Sequence, residues 1–342
     1  MSQRENAYCY MRAVSAIAII MLHTFQYAFS SFTIIGKSKI FSVVVRNDLL
    51  WAVPVFVMVT GALMLAEDRK LSYTKLFGKY LKKILILLIV CLFASRMLDQ
   101  YILHVEEEES IFSFLKNTIC DFLAAQGWSE FWYLYLLVAI YISLPAFRAM
   151  IRGKDTLDLK YIIWILFLFQ SLLPFIFRLC GVESGWYTLF FSIYPFYLIV
   201  GYYLKGGRYD CKIMIFGVVI FLMVQSVLTI ICFMHGFTTL IKEIELYSFP
   251  GIVLTAIFIF GLCMEWGKKE QGLIEKFLLK IDPYTLDMYV IHLFLLRILF
   301  YGLGVNPYKF GLYMIFIETM IVFSMSLLIA LICHVVIEKI YK

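Results

Sequence analysis

Ten stretches of this chain are apolar for long enough to cross a lipid bilayer. Their approximate limits are 12–33, 48–66, 81–103, 131–149, 160–178, 186–204, 212–234, 248–266, 283–302 and 311–337. Each is close to the ~20 residues that a helix needs to span a ~30 Å hydrocarbon layer. In lipid the backbone has no water to bond, so each stretch must satisfy its own N–H and C=O groups as a helix. The pattern therefore predicts an all-α integral membrane protein of about ten transmembrane helices. An even number of crossings puts both termini on one side. Spread over that topology, the 30 Lys and Arg divide as 21 on the terminal side and 9 on the other. The positive-inside bias then predicts cytoplasmic N and C termini.

The polar residues that interrupt the apolar runs are the next signal. The first run opens with RAVSAIAIIMLH, in which Arg12 and His23 stand eleven positions apart. At 100° per residue that is about three turns plus ~20°, so both side chains leave one helix face, roughly 16 Å apart along the axis. If Arg12 marks the membrane surface, His23 lies near the midplane, where ionisable groups normally face a bundle interior, a cavity or a substrate path. A packing histidine under an anchoring arginine accounts for the same pattern. Other polar residues of the apolar runs include Arg96, Asp287, His292, Arg297, Glu318 and His334. Glu318 is expected to be either protonated or paired inside the bundle. His334 and Glu338 are four apart, the spacing of a local helix pair.

Composition sharpens this picture. Of 342 residues, 63% are hydrophobic and 16% charged, which excludes an ordinary soluble globule. No polar linker divides the chain, so 1–342 is expected to form a single transmembrane domain. The first run is too long for a cleaved secretory signal, and further spans follow it. The eight cysteines form no CxxC pair and no Cys/His ligand spacing, so neither a metal nor a disulfide framework is expected. No GxxxxGK[ST] loop suggests an NTP-driven pump, and nothing points to a nucleic-acid partner. The bilayer itself is the expected surrounding.

Two loops carry further chemistry. The second, EDRKLSYTKLFGKYLKK (67–83), concentrates Arg69, Lys70, Lys75, Lys79, Lys82 and Lys83. Such a run anchors topology beside anionic headgroups, yet Lys79 and Lys82, three apart, can also share a helix face toward phosphates. The loop 104–130 is acidic, with Glu106 to Glu109 adjacent, and reads as a solvated face. IFSFLKNTICDFLAA after it has helical periodicity suited to the outer interface.

Five stretches together resemble the bacterial acyltransferase-3 family. They are Arg12 and His23 with ten residues between; VPVFVMVTGALML (53–65), similar to the family's Phe-Phe-x-x-Ser-Gly-Phe; Lys79-x-x-Lys82, where the family usually carries a basic pair; EFWYLYLLVAIYISLPAF (130–147); and MYVIHLFLL (288–296). FYLIVGYYLKG (196–206) and VIEKIYK at the end add to the likeness. Their order spans nearly the whole chain. The sequence departs from the pattern in places. Thr60 stands for Ser, Glu130-Phe131 replaces His-Leu before Trp132, and lysines replace arginines at 79 and 82, losing bidentate phosphate geometry. The chain ends at Lys342 with no fused hydrolase-like domain and is similar to a stand-alone member.

The resemblance implies a membrane-bound O-acyltransferase of the bacterial cytoplasmic membrane. Its donor would be acetyl-CoA or another acyl-CoA, and its acceptor a hydroxyl of an envelope polysaccharide or its lipid-linked precursor. Such chemistry needs a base for the hydroxyl proton, for which His23 is the candidate, as general base or as transient acyl carrier. Arg12 would orient the donor, Lys79 and Lys82 would meet its phosphates, and Trp132, Tyr133, Tyr289 and His292 would line the acceptor groove. The aromatic residues fit an interfacial belt equally well, and His292 fits a packing role. The rival class is a glycan or lipid transporter or flippase with a proton path through His23 and Glu318.

Overall fold

The computed structural model describes residues 3–33, 36–67, 69, 71–107, 109–180, 192–269 and 271–340, with side chains from Glu5 to Val335. Lys70, Glu108, the side chain of Glu338 and the start of the sixth expected span lie outside the described residues. All regular structure among the described residues is helical.

Seven helices are long and apolar enough to cross a membrane: Glu5–Ser31, Lys37–Met64, Ser129–Ile151, Thr156–Leu179, Cys211–Met234, Leu273–Gly302 and Tyr313–Val335. They coincide with seven of the ten expected segments. The chain is a multi-pass membrane protein. Of the other three, Pro250–Trp266 is apolar but has 17 residues, about 26 Å of rise and just short of the hydrocarbon thickness. The third expected span forms Lys82–Met97 and continues as a π-helical turn, Leu98–Ile102; it carries Arg96 and Asp99. Of the sixth, the helix Tyr194–Leu204 is described.

The described residues form two compact units. The first comprises 1–66, 153–292 and 306–342, the second 67–152 and 293–305. In the first unit, the helix Gln3–Ser31 packs against Lys37–Asp48, Ala52–Met64, Pro250–Trp266, Leu273–Ile281 and Tyr313–Ile340. It is the most buried of the candidate spans. Its alanines Ala7, Ala13, Ala16, Ala18 and Ala28 are all buried, and small residues allow neighbouring backbones to approach closely in lipid.

Helices Ala52–Met64 and Tyr194–Leu204 approach most closely, through Gly61 and Gly201. A Cβ on Gly61 would stand 1.9 Å from the Leu198 carbonyl oxygen, and one on Gly201 2.0 Å from that of Met58. Both obstacles are backbone, which cannot swing aside. Gly61→Val is therefore expected to force the helices apart and to destabilise the protein by about 1–3 kcal/mol or more. Thermal unfolding in detergent would read this as a lowered midpoint, and an unchanged melt would contradict the contact. Thr60, next to Gly61, donates its hydroxyl to the Phe56 carbonyl of its own helix at 3.0 Å.

In the second unit, ion pairs hold the polar residues of the apolar runs. Arg96 donates to Glu109 at 3.2 Å and also to Asp121. Arg297 donates to both oxygens of the buried Asp99, at 2.9 and 2.7 Å, and Trp128 donates its indole N–H to the same carboxylate at 2.7 Å. The acidic loop is thus only partly a solvated face. Glu106 and Glu107 are exposed, while Glu109 is engaged by Arg96 and Asn117. The expected amphipathic helix is present as Ile111–Ala124, begun by the Ser110 side chain accepting from the Ser113 N–H. Ile111, Leu115, Ile119 and Leu123 recur every four residues as an exposed apolar stripe.

Candidate active site

Two polar contacts join the first helix to the segment that begins at Asp282. Arg12 donates from Nε and Nη2 to the two oxygens of Asp282, at 2.6 and 2.7 Å. Further along, His23 Nδ1 lies 2.8 Å from His292 Nε2. Both chains climb in the same direction between these contacts, eleven residues on one and ten on the other. Equal rises of about 15–16 Å keep the two rungs level. The two helices are therefore parallel neighbours.

The histidine rung has a definite proton arrangement. His292 Nδ1 lies 3.0 Å from the Met288 carbonyl oxygen, four residues back on its own helix. A carbonyl only accepts, so His292 Nδ1 carries the proton and its Nε2 presents a lone pair. That lone pair must receive a proton from His23 Nδ1. In the neutral His23 ring, the remaining nitrogen, Nε2, is then unprotonated. No partner for it stands among the described residues. The rings are nearly coplanar, 6° apart with centroids at 5.1 Å, as an in-line N–H···N bond requires. His292 is fully buried, while His23 is half-buried. One imidazole is anchored by the backbone and orients the other, whose outer nitrogen carries an unshared lone pair.

Arg12 is mostly committed to structure. Besides Asp282 it reaches the Cys9 sulfur from Nη2 at 3.6 Å, which leaves Nη1 for a ligand; the side chain is 26% exposed. Tyr289 is buried and meets His292 edge-on, with ring centroids at 5.8 Å. The first unit thus gathers four of the predicted site residues: Arg12, His23, Tyr289 and His292. Lys79, Lys82, Trp132 and Tyr133 belong to the second unit.

Both lysines are exposed. Lys79 lies in the π-helical turn Leu76–Leu81, and Lys82 starts the α-helix after it. A wider turn rotates less per residue, so the pair is splayed further apart than three residues of α-helix would set it. Trp132 and Tyr133 open the helix Trp132–Ile151 and meet edge-on at 6.0 Å. Tyr133 is buried, which suits packing as well as binding. Asp287 is half-buried, and His334 packs edge-on against Tyr284 at 5.2 Å. Glu318 is 2% exposed, and neither carboxylate oxygen has a hydrogen-bond partner among the described residues.

Sequence reasoning missed Asp282, which sits outside the apolar run in a 3-10 turn, Asp282–Tyr284. A signal was present in the spacing. Asp282 and His292 are separated almost as Arg12 and His23 are, and two helices with matching polar intervals can pair rung to rung. It also missed the Gln26–Arg46–Glu245 group, where Arg46 Nη1 donates to Gln26 Oε1 at 2.8 Å and Nη2 donates to Glu245.

No curated protein and no solved structure matches this chain. A family profile does: the one described as "Acyltransferase domain" covers residues 6–335. Arg12, His23, Asp282 and His292 all lie within that span. A bundle of apolar helices with an oriented imidazole inside it is consistent with acyl transfer, and the matched profile covers nearly the full length. The chain belongs to the acyltransferase-3 family and is an enzyme that transfers acyl groups.

Proposed function

We propose that the enzyme moves an acyl group, acetyl in the first instance, from acyl-CoA to a hydroxyl of an envelope polysaccharide or its lipid-linked precursor. Its place would be the bacterial cytoplasmic membrane, with both termini in the cytoplasm. The observation that carries this reading is the Met288–His292–His23 chain, which leaves His23 Nε2 as a positioned base. The acceptor oxygen attacks the thioester carbonyl carbon while His23 Nε2 takes its proton. The tetrahedral intermediate then collapses with cleavage of the C–S bond. The thiolate leaves with the proton that His23 returns, and the ester remains on the acceptor. His292 accepts the His23 Nδ1–H throughout and stabilises the transient imidazolium. Arg12 orients the donor through Nη1, and Lys79 and Lys82 attract its phosphates. Trp132, Tyr133 and Tyr289 are proposed to contact the acceptor.

The transporter reading needs a path linking His23 to Glu318. His23 pairs with His292, and Glu318 has no hydrogen-bond partner, so no hydrogen-bonded chain joins them among the described residues. The test is to supply membranes with radiolabelled acetyl-CoA and to follow label into envelope glycan. Wild-type membranes are expected to label the glycan, and His23→Ala membranes of equal protein abundance are expected not to. Equal labelling by both would remove His23 from the chemistry.

A further inference from the structure

We infer that Gln26, Arg46 and Glu245 form the acceptor subsite of the transfer reaction, built for a neutral, hydroxyl-rich group. This rests on His23 being the base. Gln26 follows His23 by three residues on the same helix, so the two side chains are neighbours on one face, with Cβ atoms about 5–6 Å apart. Arg46 is held from three sides. Its Nη1 donates to Gln26 Oε1 at 2.8 Å, its Nε and Nη2 donate to Asn47 Oδ1 at 3.3 and 3.1 Å, and Nη2 also donates to Glu245 Oε1.

The unused hydrogen-bonding capacity of this group defines its ligand. Gln26 has its oxygen turned to Arg46, so its amide N–H groups face away and have no partner among the described residues. Glu245 Oε2 likewise has none, and Glu245 is the more accessible member of the ion pair, at 29% against 14% for Arg46. One Nη1 hydrogen of Arg46 also remains. The group therefore offers both donors and a strong acceptor, and it joins the first helix at Gln26, one turn from His23. A hydroxyl gives and takes a hydrogen bond at once, so adjacent hydroxyls can donate to Glu245 and accept from Gln26. A phosphate cannot use the carboxylate and is repelled by it, and the charge of Arg46 is already neutralised. The acyl donor's phosphates are thus excluded here.

Placement along the first helix agrees. Arg12 and Gln26 are fourteen residues apart, about 21 Å, with His23 between them. Glu245 ends the short helix Thr238–Ile244, in the connection between Cys211–Met234 and Pro250–Trp266. The donor would approach His23 from the Arg12 end and the acceptor from the Gln26 end, so the two need not compete for one entrance.

The experiment uses membranes, labelled acetyl-CoA and envelope glycan isolated from the same cells. Glu245→Gln and Gln26→Ala are each expected to raise the KM for glycan about tenfold, the size of one lost hydrogen bond, with a much smaller change in the KM for acetyl-CoA. A purely structural ion pair would behave otherwise. Arg46→Glu combined with Glu245→Arg keeps a pair of opposite charges and is expected to retain abundance and melting point yet bind glycan poorly. Restoration of the glycan KM by that exchange, or unchanged KM values in both single variants, would overturn the subsite. Binding without turnover separates this from the catalytic reading. Purified His23→Ala protein should bind the glycan, and His23→Ala/Glu245→Gln should bind it about tenfold more weakly; equal binding would refute the subsite. Continued transfer by His23→Ala would instead count against His23 as the base.

Discussion

Replacing His292 by Phe should lower acyl transfer about as far as replacing His23 by Ala, by roughly 10³–10⁴-fold. His292 need not touch either substrate for this to hold. It is locked by the Met288 carbonyl and accepts the Nδ1 proton of His23, and this sets which nitrogen of His23 is bare. Phenylalanine keeps the ring's packing against Tyr289 but removes that acceptor. His23 is then free to flip its tautomer and present an N–H, which cannot take a proton from a hydroxyl. Because the two imidazoles act as a unit, their losses should not add, and His23→Ala/His292→Phe should be scarcely slower than either single variant. His292→Gln provides the graded case. Its amide oxygen can accept from His23 while its N–H₂ group reaches toward Met288, so part of the rate should return. Turnover of labelled acetyl-CoA in membranes of matched abundance measures all four proteins. Additive losses, or a His292→Phe enzyme within tenfold of wild type, would show that the bond between the rings is packing alone.

The legible and illegible parts of the sequence divide on physical grounds. Helices were readable because lipid leaves a buried backbone no alternative, and seven expected spans appear where long apolar runs placed them. Two of the other three are those where the run carried charge, as at Arg96 and Asp99, or where the helix proved short, as at Pro250–Trp266; the third, 186–204, begins outside the described residues. Arg12 and His23 stood out because ionisable groups in an apolar run are costly. What no single run could reveal is which helix answers them. His292 was visible as a residue but not as the partner of His23, since pairing across 269 residues is a tertiary fact. Asp282 escaped because it lies in a polar turn, where one more carboxylate is unremarked. Lys79 and Lys82 were read with α-helical spacing, and the π turn at 76–81 alters that geometry.

Breaking the rung at the other end of the first helix should damage stability more than any surface change, and the effect can be separated from activity. Arg12 and Asp282 make two short charge-assisted bonds and are 26% and 10% exposed. Removing one partner strands the other in a weakly solvated place, so Arg12→Met and Asp282→Leu should each cost about 2–4 kcal/mol, below the range for fully buried pairs because the guanidinium is partly wet. The double variant Arg12→Met/Asp282→Leu strands neither charge and should melt in detergent within about 1 kcal/mol of wild type, since a buried ion pair exchanged for apolar side chains is often near neutral. Activity should not follow stability. If Arg12 Nη1 orients the acyl donor, the double variant will be folded but will need more acetyl-CoA, with the KM for donor raised and that for glycan little changed. A double variant with wild-type donor KM would leave the pair as a structural strut that keeps the first helix level with the segment carrying His292. A double variant as unstable as the singles would mean that the level itself depends on the charges, and the two histidines would then be expected to lose their 2.8 Å contact along with it.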